Sequence, residues 1–132
     1  MKKIRAAVVG YGNIGRYALQ ALRAADDFEI AGIVRRSGAK DVPAEIADIP
    51  VVSGITELKD VDVAILATPS RKVEEFAVEC LKAGVNTVDS FDIHTGIYDL
   101  HSELDPIAKA NGAVSVISAG WDPGSDSIVR AL

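Results

Sequence analysis

Three glycines with the spacing G-x-G-x-x-G, at Gly10, Gly12 and Gly15, follow the apolar run Ile4–Val9 and lead into a helical pattern through Tyr17, Leu19 and Leu22. Strand, glycine turn and helix in this order form a dinucleotide-binding fingerprint. The first glycine allows the tight turn, the second lets backbone approach a pyrophosphate, and the third lets helix pack on strand. Tyr11, Asn13 and Ile14 lie on the same turn. The helix N-terminus behind them offers free N–H groups and partial positive charge to phosphates. Where the second strand ends, an Asp or Glu would accept hydrogen bonds from the ribose 2′-hydroxyl of NAD. This chain has Arg35, Arg36 and Ser37 there instead. Two guanidinium forks and a hydroxyl suit a 2′-phosphate, so NADP is the expected cofactor. The bland alternative is a solvated basic pair at a strand end.

Further chemistry gathers at three later strand ends, where open α/β sheets bind their ligands. Thr68, Pro69 and Ser70 follow the fourth strand and are expected along the ribose or pyrophosphate; Ser70 is equally suited to cap the next helix. Asp92 and His94 follow the fifth strand, and Trp121, Asp122, Pro123 and Gly124 follow the sixth. Both clusters should open toward the nicotinamide, so Asp92, His94, Trp121, Pro123 and Gly124 are expected beside the cofactor. Two carboxylates and an indole there would suit a substrate ammonium, with Asp92, Asp122 and Trp121 as the reacting-centre residues. Singly, such an Asp is more often a turn residue. His94 could carry a proton, although a lone His is more often structural, and His101 reads as a helix-surface residue.

The elements that position these groups alternate. Strands are expected at Ile4–Val9, Phe28–Val34, Pro50–Val52, Val61–Ala67, Asn86–Asp89 and Ala113–Ser118. Helices are expected at Ile14–Ala25, with Ile14, Ala18, Leu22 and Ala25 on the buried stripe, and at Val73–Ala83, closed by Gly84. Two more are expected at Asp99–Asn111 and Ser125–Leu132, and the polar stretch Ser37–Ile49 reads as a loop with at most a short helix. This alternation argues an α/β fold, a Rossmann-type doubly wound parallel sheet with strand order 3-2-1-4-5-6.

A length of 132 residues suits one domain, and a hydrophobic share of 48% with few aromatics suits a sheet of Val, Ile and Ala. The net charge of -5 argues against a nucleic-acid partner. Cys80 is the sole cysteine, which excludes an intrachain disulfide, and it reads as a small buried hydrophobe. No apolar run approaches a membrane span, no leader pattern opens the chain, and no metal site is expected; a cytoplasmic protein is the expectation. Ile128, Val129 and Leu132 give the last helix an apolar face, and the chain is expected to be the first domain of a longer two-domain enzyme.

Four segments together carry a resemblance. Val8-Val-Gly-Tyr-Gly-Asn-Ile-Gly-Arg16, Arg35-Arg36, Val88-Asp-Ser-Phe-Asp-Ile-His94 and Ser118-Ala-Gly-Trp-Asp-Pro-Gly124 resemble the meso-diaminopimelate dehydrogenases, in register along the whole chain. The resemblance implies NADP-dependent, reversible oxidative deamination of the D-centre of meso-2,6-diaminopimelate to L-2-amino-6-oxopimelate and ammonia, in lysine biosynthesis. It implies that Tyr11 to Ile14 hold the pyrophosphate and that Arg35, Arg36 and Ser37 hold the 2′-phosphate. It further implies that Asp92, Asp122 and Trp121 surround the D-amino centre. Some members carry a further acid at the position of Gly96, a role this chain cannot fill. The second domain and most of the homodimer interface of such enzymes lie outside these residues, so this chain alone is expected to be inactive. The other readings are an NAD(P) oxidoreductase of the Gfo/Idh/MocA, aspartate dehydrogenase or dihydrodipicolinate reductase type, and a non-catalytic nucleotide-sensing domain.

Overall fold

The computed structural model describes residues 2–132 and alternates strand and helix as the sequence requires. The strands are β1 (Ile4–Val9), β2 (Phe28–Val34), β3 (Val51–Val52), β4 (Val63–Leu66), β5 (Asn86–Asp89) and β6 (Ser115–Val116). The helices are α1 (Asn13–Ala24), α2 (Ser70–Lys82), α3 (Ile97–Ala110) and α4 (Ser125–Ala131), with short 3-10 turns at Ala44–Ile46, Ile55–Glu57 and His94–Gly96. The sheet order is β3-β2-β1-β4-β5-β6, the doubly wound order expected. The chain divides after Thr68 into two compact units.

In the first unit β1 is central, parallel to β2 on one side and β4 on the other, and β2 is parallel to β3. A strand flanked on both sides is apolar on both faces, and Ala6, Ala7, Val8 and Val9 are all buried. The core joins Ala6 and Val8 of β1, Ile33 of β2 and Val51 of β3 to Leu19 and Leu22 of α1 and to Ile46. The buried stripe of α1 is Gly15, Leu19 and Leu22, one residue round from the stripe expected through Ile14 and Ala18. Ile14 is 64% exposed, because Gly15 is the residue that must face the strand.

In the second unit α2 packs on α3 and on β5, and β5 pairs in parallel with β6. Helix α2 starts at Ser70, three residues earlier than expected, because Pro69 in extended backbone serves as its N-cap. Ser70 is therefore the first helical residue and not the cap. Helix α3 also starts earlier than expected, and β4 and β6 are shorter than their apolar runs. Cys80 is buried in α2 with Val73, Ala77 and Leu81, and desolvation pushes its thiol up to about 12. His101 is exposed on α3.

Candidate functional site

The turn between β1 and α1 is built for close approach. Gly10 has φ +95, and a Cβ there would stand 2.5 Å from the Ala67 carbonyl oxygen. A Cβ on Gly15 would collide with the Gly10 carbonyl oxygen. Gly12 differs: a Cβ there would meet nothing within 4 Å. Gly10 and Gly15 are thus glycines because the protein fills the space, whereas the space over Gly12 is open. The N-terminus of α1 has no side-chain cap and no acid in its first turn, so its orphan N–H groups and its dipole remain available to an anion. Tyr11 donates its hydroxyl to Glu45 Oε1 at 3.3 Å, fixing the turn to the segment around Ala44–Ile46. Burial and the nearby Glu45 carboxylate raise the phenol above its ordinary value. Thr68 Oγ1 is buried without a hydrogen-bond partner among the described residues.

The two arginines after β2 do different work. Arg35 donates Nε to the Gly38 carbonyl at 2.8 Å and Nη2 to the Lys40 carbonyl, so its guanidinium organises its own loop. Arg36 and Ser37 are exposed, and the Arg36 guanidinium makes no hydrogen bond or ion pair among the described residues. The structure therefore separates a pair that the sequence treats as equivalent, leaving Arg36 as the fork free to grip a phosphate. A free fork, an uncapped helix end and open space over Gly12 fit a dinucleotide, which would lie along Gly10–Gly15.

The second unit holds the acids. Asp92 is exposed at the exit of β5; its Oδ1 accepts the Ser70 hydroxyl at 2.5 Å, and its own N–H donates back to Ser70 Oγ at 3.1 Å. Asp122 is also exposed, but Arg130 Nη2 donates to its Oδ1 at 2.8 Å and reaches Asp126 at 2.9 Å. The expected free pair of acids is thus one acid tied by a hydroxyl and one matched by a guanidinium. Trp121 is 73% exposed, and His94 is exposed on its 3-10 turn.

The segment Gly120–Gly124 is a closed loop. Gly120 N–H donates to the Pro123 carbonyl at 3.1 Å, and Ser125 N–H donates to the Gly120 carbonyl at 3.0 Å. Gly124 has φ +138, and a Cβ there would strike the Gly120 carbonyl. Pro123 and Gly124 therefore shape the loop that presents Trp121 and Asp122. Beneath it lies Asp89, 3% exposed, whose Oδ1 accepts N–H bonds from Phe91 and from Ser118, both at 2.9 Å. One buried carboxylate joins the exits of β5 and β6. Desolvation raises its pKa, and the two backbone bonds hold the rise back. Sequence reasoning missed Asp89 and Arg130. The i,i+4 spacing of Asp126 and Arg130 signalled the second, while nothing in the pattern distinguishes Asp89 from an ordinary strand end.

Among the described residues no group of His, Cys, Asp and Glu is arranged to hold a metal ion, and no helix is long and apolar enough to cross a membrane.

The chain is 69% identical over 132 residues to a meso-diaminopimelate D-dehydrogenase of Bacteroides fragilis, covering 100% of this chain and 44% of that protein. It superposes on the C. glutamicum DAP dehydrogenase in complex with DAP with TM-score 0.86 and 33% identity, covering 99% of this chain and 40% of that one. It superposes on an engineered D-amino acid dehydrogenase bound to NADP+ with TM-score 0.81 and 32% identity, covering 98% and 40%. The chain thus spans less than half the length of these relatives. Residues 4–89, more than half of the chain, match the model of an oxidoreductase family with an NAD-binding Rossmann fold, and the chain belongs to that family, Gfo/Idh/MocA.

Proposed function

We propose that this chain is the NADP(H)-binding domain of a longer, cytoplasmic, homodimeric enzyme that oxidatively deaminates the D-centre of meso-2,6-diaminopimelate. The observation that carries the reading is the 69% identity to the Bacteroides fragilis enzyme along the entire chain, which includes both acid-bearing loops. The free Arg36 fork supports NADP over NAD, since no carboxylate stands there to accept a ribose 2′-hydroxyl. Gly10, Tyr11, Gly12, Asn13, Ile14 and Gly15 would hold the pyrophosphate, with Thr68 flanking it.

When bound, the oxidised cofactor supplies a hydride acceptor for the substrate Cα. Asp92 and Asp122 orient the substrate amine and stabilise the positive charge that develops on nitrogen as the hydride leaves. Both carboxylates are set before the substrate arrives, one by Ser70 and one by Arg130, so little reorganisation is needed. Trp121 stands on the same loop as Asp122 and shields the amine. Water then hydrolyses the resulting imine to the oxo acid and ammonia.

The test has two arms. Calorimetric titration of this chain should show NADPH binding at least about tenfold tighter than NADH, the effect of one charge-assisted phosphate contact. Spectrophotometry should show NADPH formation from meso-diaminopimelate by the longer protein and none by this chain alone, with L-2-amino-6-oxopimelate identified by mass spectrometry. Turnover of a different substrate by the longer protein, or full activity in the 132 residues, overturns the reading.

A further inference from the structure

Asp89 is the last residue of β5 and is 3% exposed, yet no step of the reaction above uses it. The ladder between β5 and β6 ends one residue earlier, at Val88 opposite Val116. Beyond it, Asp89 takes over as the link between the two strand exits. Its Oδ1 accepts the Phe91 N–H and the Ser118 N–H, both at 2.9 Å. Its main-chain carbonyl accepts the Ala119 N–H at 2.8 Å. Phe91 immediately precedes Asp92, and Ala119 lies two residues before Trp121 and three before Asp122. One residue therefore holds the backbone leading to all three groups assigned to the reacting centre.

The arrangement is costly to the fold. Asp89 Oδ2 and Ser118 Oγ are both buried without a hydrogen-bond partner among the described residues. A buried oxygen left unpaired lowers stability. An apolar side chain of the same size would avoid that loss but could not accept the two N–H groups. Ser118 is also held at φ +57, a left-handed conformation that a residue with a Cβ seldom adopts. Both costs fall where the exit of β6 turns toward Trp121. Close packing completes the junction: a Cβ on Gly120 would stand 3.1 Å from the Ser90 Cβ, so the two loops touch. Unpaired oxygens and a strained backbone at one junction mark a place where geometry is kept although it destabilises the fold.

On the diaminopimelate reading above, we propose that Asp89 is a positioning residue for the reaction: it clamps the Phe91–Asp92 and Ser118–Asp122 segments to each other and so fixes the spacing of Asp92, Trp121 and Asp122 around the substrate amine. It does this as a hydrogen-bond acceptor and touches neither substrate nor cofactor. An acid misplaced by about 1 Å forfeits much of its electrostatic effect on a developing charge. Loosening the clamp therefore slows the chemical step before it unfolds the protein.

Three variants divide the roles. Asp89→Asn keeps an acceptor oxygen at the same reach, Asp89→Leu keeps the size without the acceptor, and Asp89→Ser offers a hydroxyl too short to hold both N–H groups. In this chain, amide hydrogen exchange followed by NMR should accelerate about tenfold or more at Gly120 and Ser125 in the leucine and serine variants. The asparagine variant should stay within about threefold of wild type. In the longer protein, kcat for meso-diaminopimelate should fall about tenfold or more in the same two variants and stay within about threefold in the asparagine variant. Deuterium at the D-Cα should give the slowed variants a kinetic isotope effect at least as large as that of the wild type, the mark of a slower hydride transfer. Thermal melts show which variants fold, and the serine variant carries the test if the leucine variant does not. A folded leucine or serine variant with wild-type exchange at Gly120 and Ser125 overturns the proposal. So does wild-type kcat in such a variant, which makes Asp89 a structural residue. An asparagine variant as slow as the leucine one also overturns it, because the charge and not the acceptor would then be the active property. A wild-type protein without meso-diaminopimelate turnover overturns the functional reading instead, and the exchange measurement alone then decides whether Asp89 clamps the loops.

Discussion

Arg130 holds Asp122 at 2.8 Å across eight residues of chain, tying the middle of the Gly120–Gly124 loop to helix α4. The same guanidinium reaches Asp126 at 2.9 Å, so one cation steadies two acids at the start of the helix. Both partners of the first contact are largely solvated, and exposed pairs contribute only about 0–1 kcal/mol. The contact is therefore about orientation more than stability. Arg130→Met in the longer enzyme should leave the melting temperature almost unchanged while lowering kcat/KM for meso-diaminopimelate about threefold to tenfold. A fall in melting temperature with kinetics intact would assign the arginine to the fold instead.

The split between Arg35 and Arg36 predicts unequal mutants. Arg36→Ala should weaken NADPH binding by about 1.5 kcal/mol or more, at least tenfold, with NADH binding unchanged. Arg35→Ala removes the bonds to the Gly38 and Lys40 carbonyls, so it should destabilise the loop and weaken both cofactors. Titration calorimetry with both nucleotides separates the cases. Equal NADPH losses with NADH spared in both variants would return the two residues to one role.

The glycine turn makes a sharper contrast. A Cβ on Gly12 would meet nothing within 4 Å, so Gly12→Val should fold normally and lose its NADPH-induced thermal shift. Gly10→Ala must fit a Cβ at 2.5 Å from a carbonyl oxygen at φ +95, which should cost about 1–3 kcal/mol or more without any cofactor present. Melts with and without NADPH check both. A Gly12→Val protein that keeps its full NADPH shift would move the pyrophosphate off this turn.

Asp89 should make stability depend on pH with a definite sign. Its folded pKa is raised above the ordinary 3.8 mainly by desolvation, against the pull of the Ser118 and Phe91 N–H groups. The folded chain thus binds this proton more tightly than the unfolded chain. The stabilising contribution of the protonated acid is complete below the unfolded value and is lost as pH rises through the raised folded value. Asp89→Asn keeps an acceptor for both N–H groups and does not titrate. The stability of the wild type relative to this variant should therefore fall as pH rises through that window. Urea unfolding of both proteins across it is the measurement, and a constant difference would contradict the raised pKa.

Legibility followed how local each cause was. Strands β1 and β2 matched their sequence ranges because mostly apolar runs end at Gly10 and at Arg35 there, and β5, which is Asn-Thr-Val-Asp, matched although only Val88 is apolar. The glycine triad was readable because its spacing is dictated by two close backbone contacts, at Gly10 and Gly15, and by the open space over Gly12. The start of α2 was misjudged because Pro69 supplied a backbone cap where a serine side chain was expected. The ends of β6 were overrun because apolar residues such as Val114 stay exposed, and apolarity alone does not create a strand. Within the site, residue types were legible but their partners were not. Whether Arg35 turns inward, whether Ser70 donates to Asp92 and whether Asp122 is matched by Arg130 depend on contacts up to 22 residues apart, which no spacing rule encodes.

The burial of Cys80 has a practical use. A thiol raised to about 12 and only 1% accessible is nearly inert to electrophiles at neutral pH. A new cysteine at an open position such as Tyr98, 81% exposed on α3, would carry an ordinary pKa of about 8.5 and a far larger thiolate fraction. Tyr98→Cys can therefore take a maleimide fluorophore or spin label selectively, and the native cysteine need not be removed first.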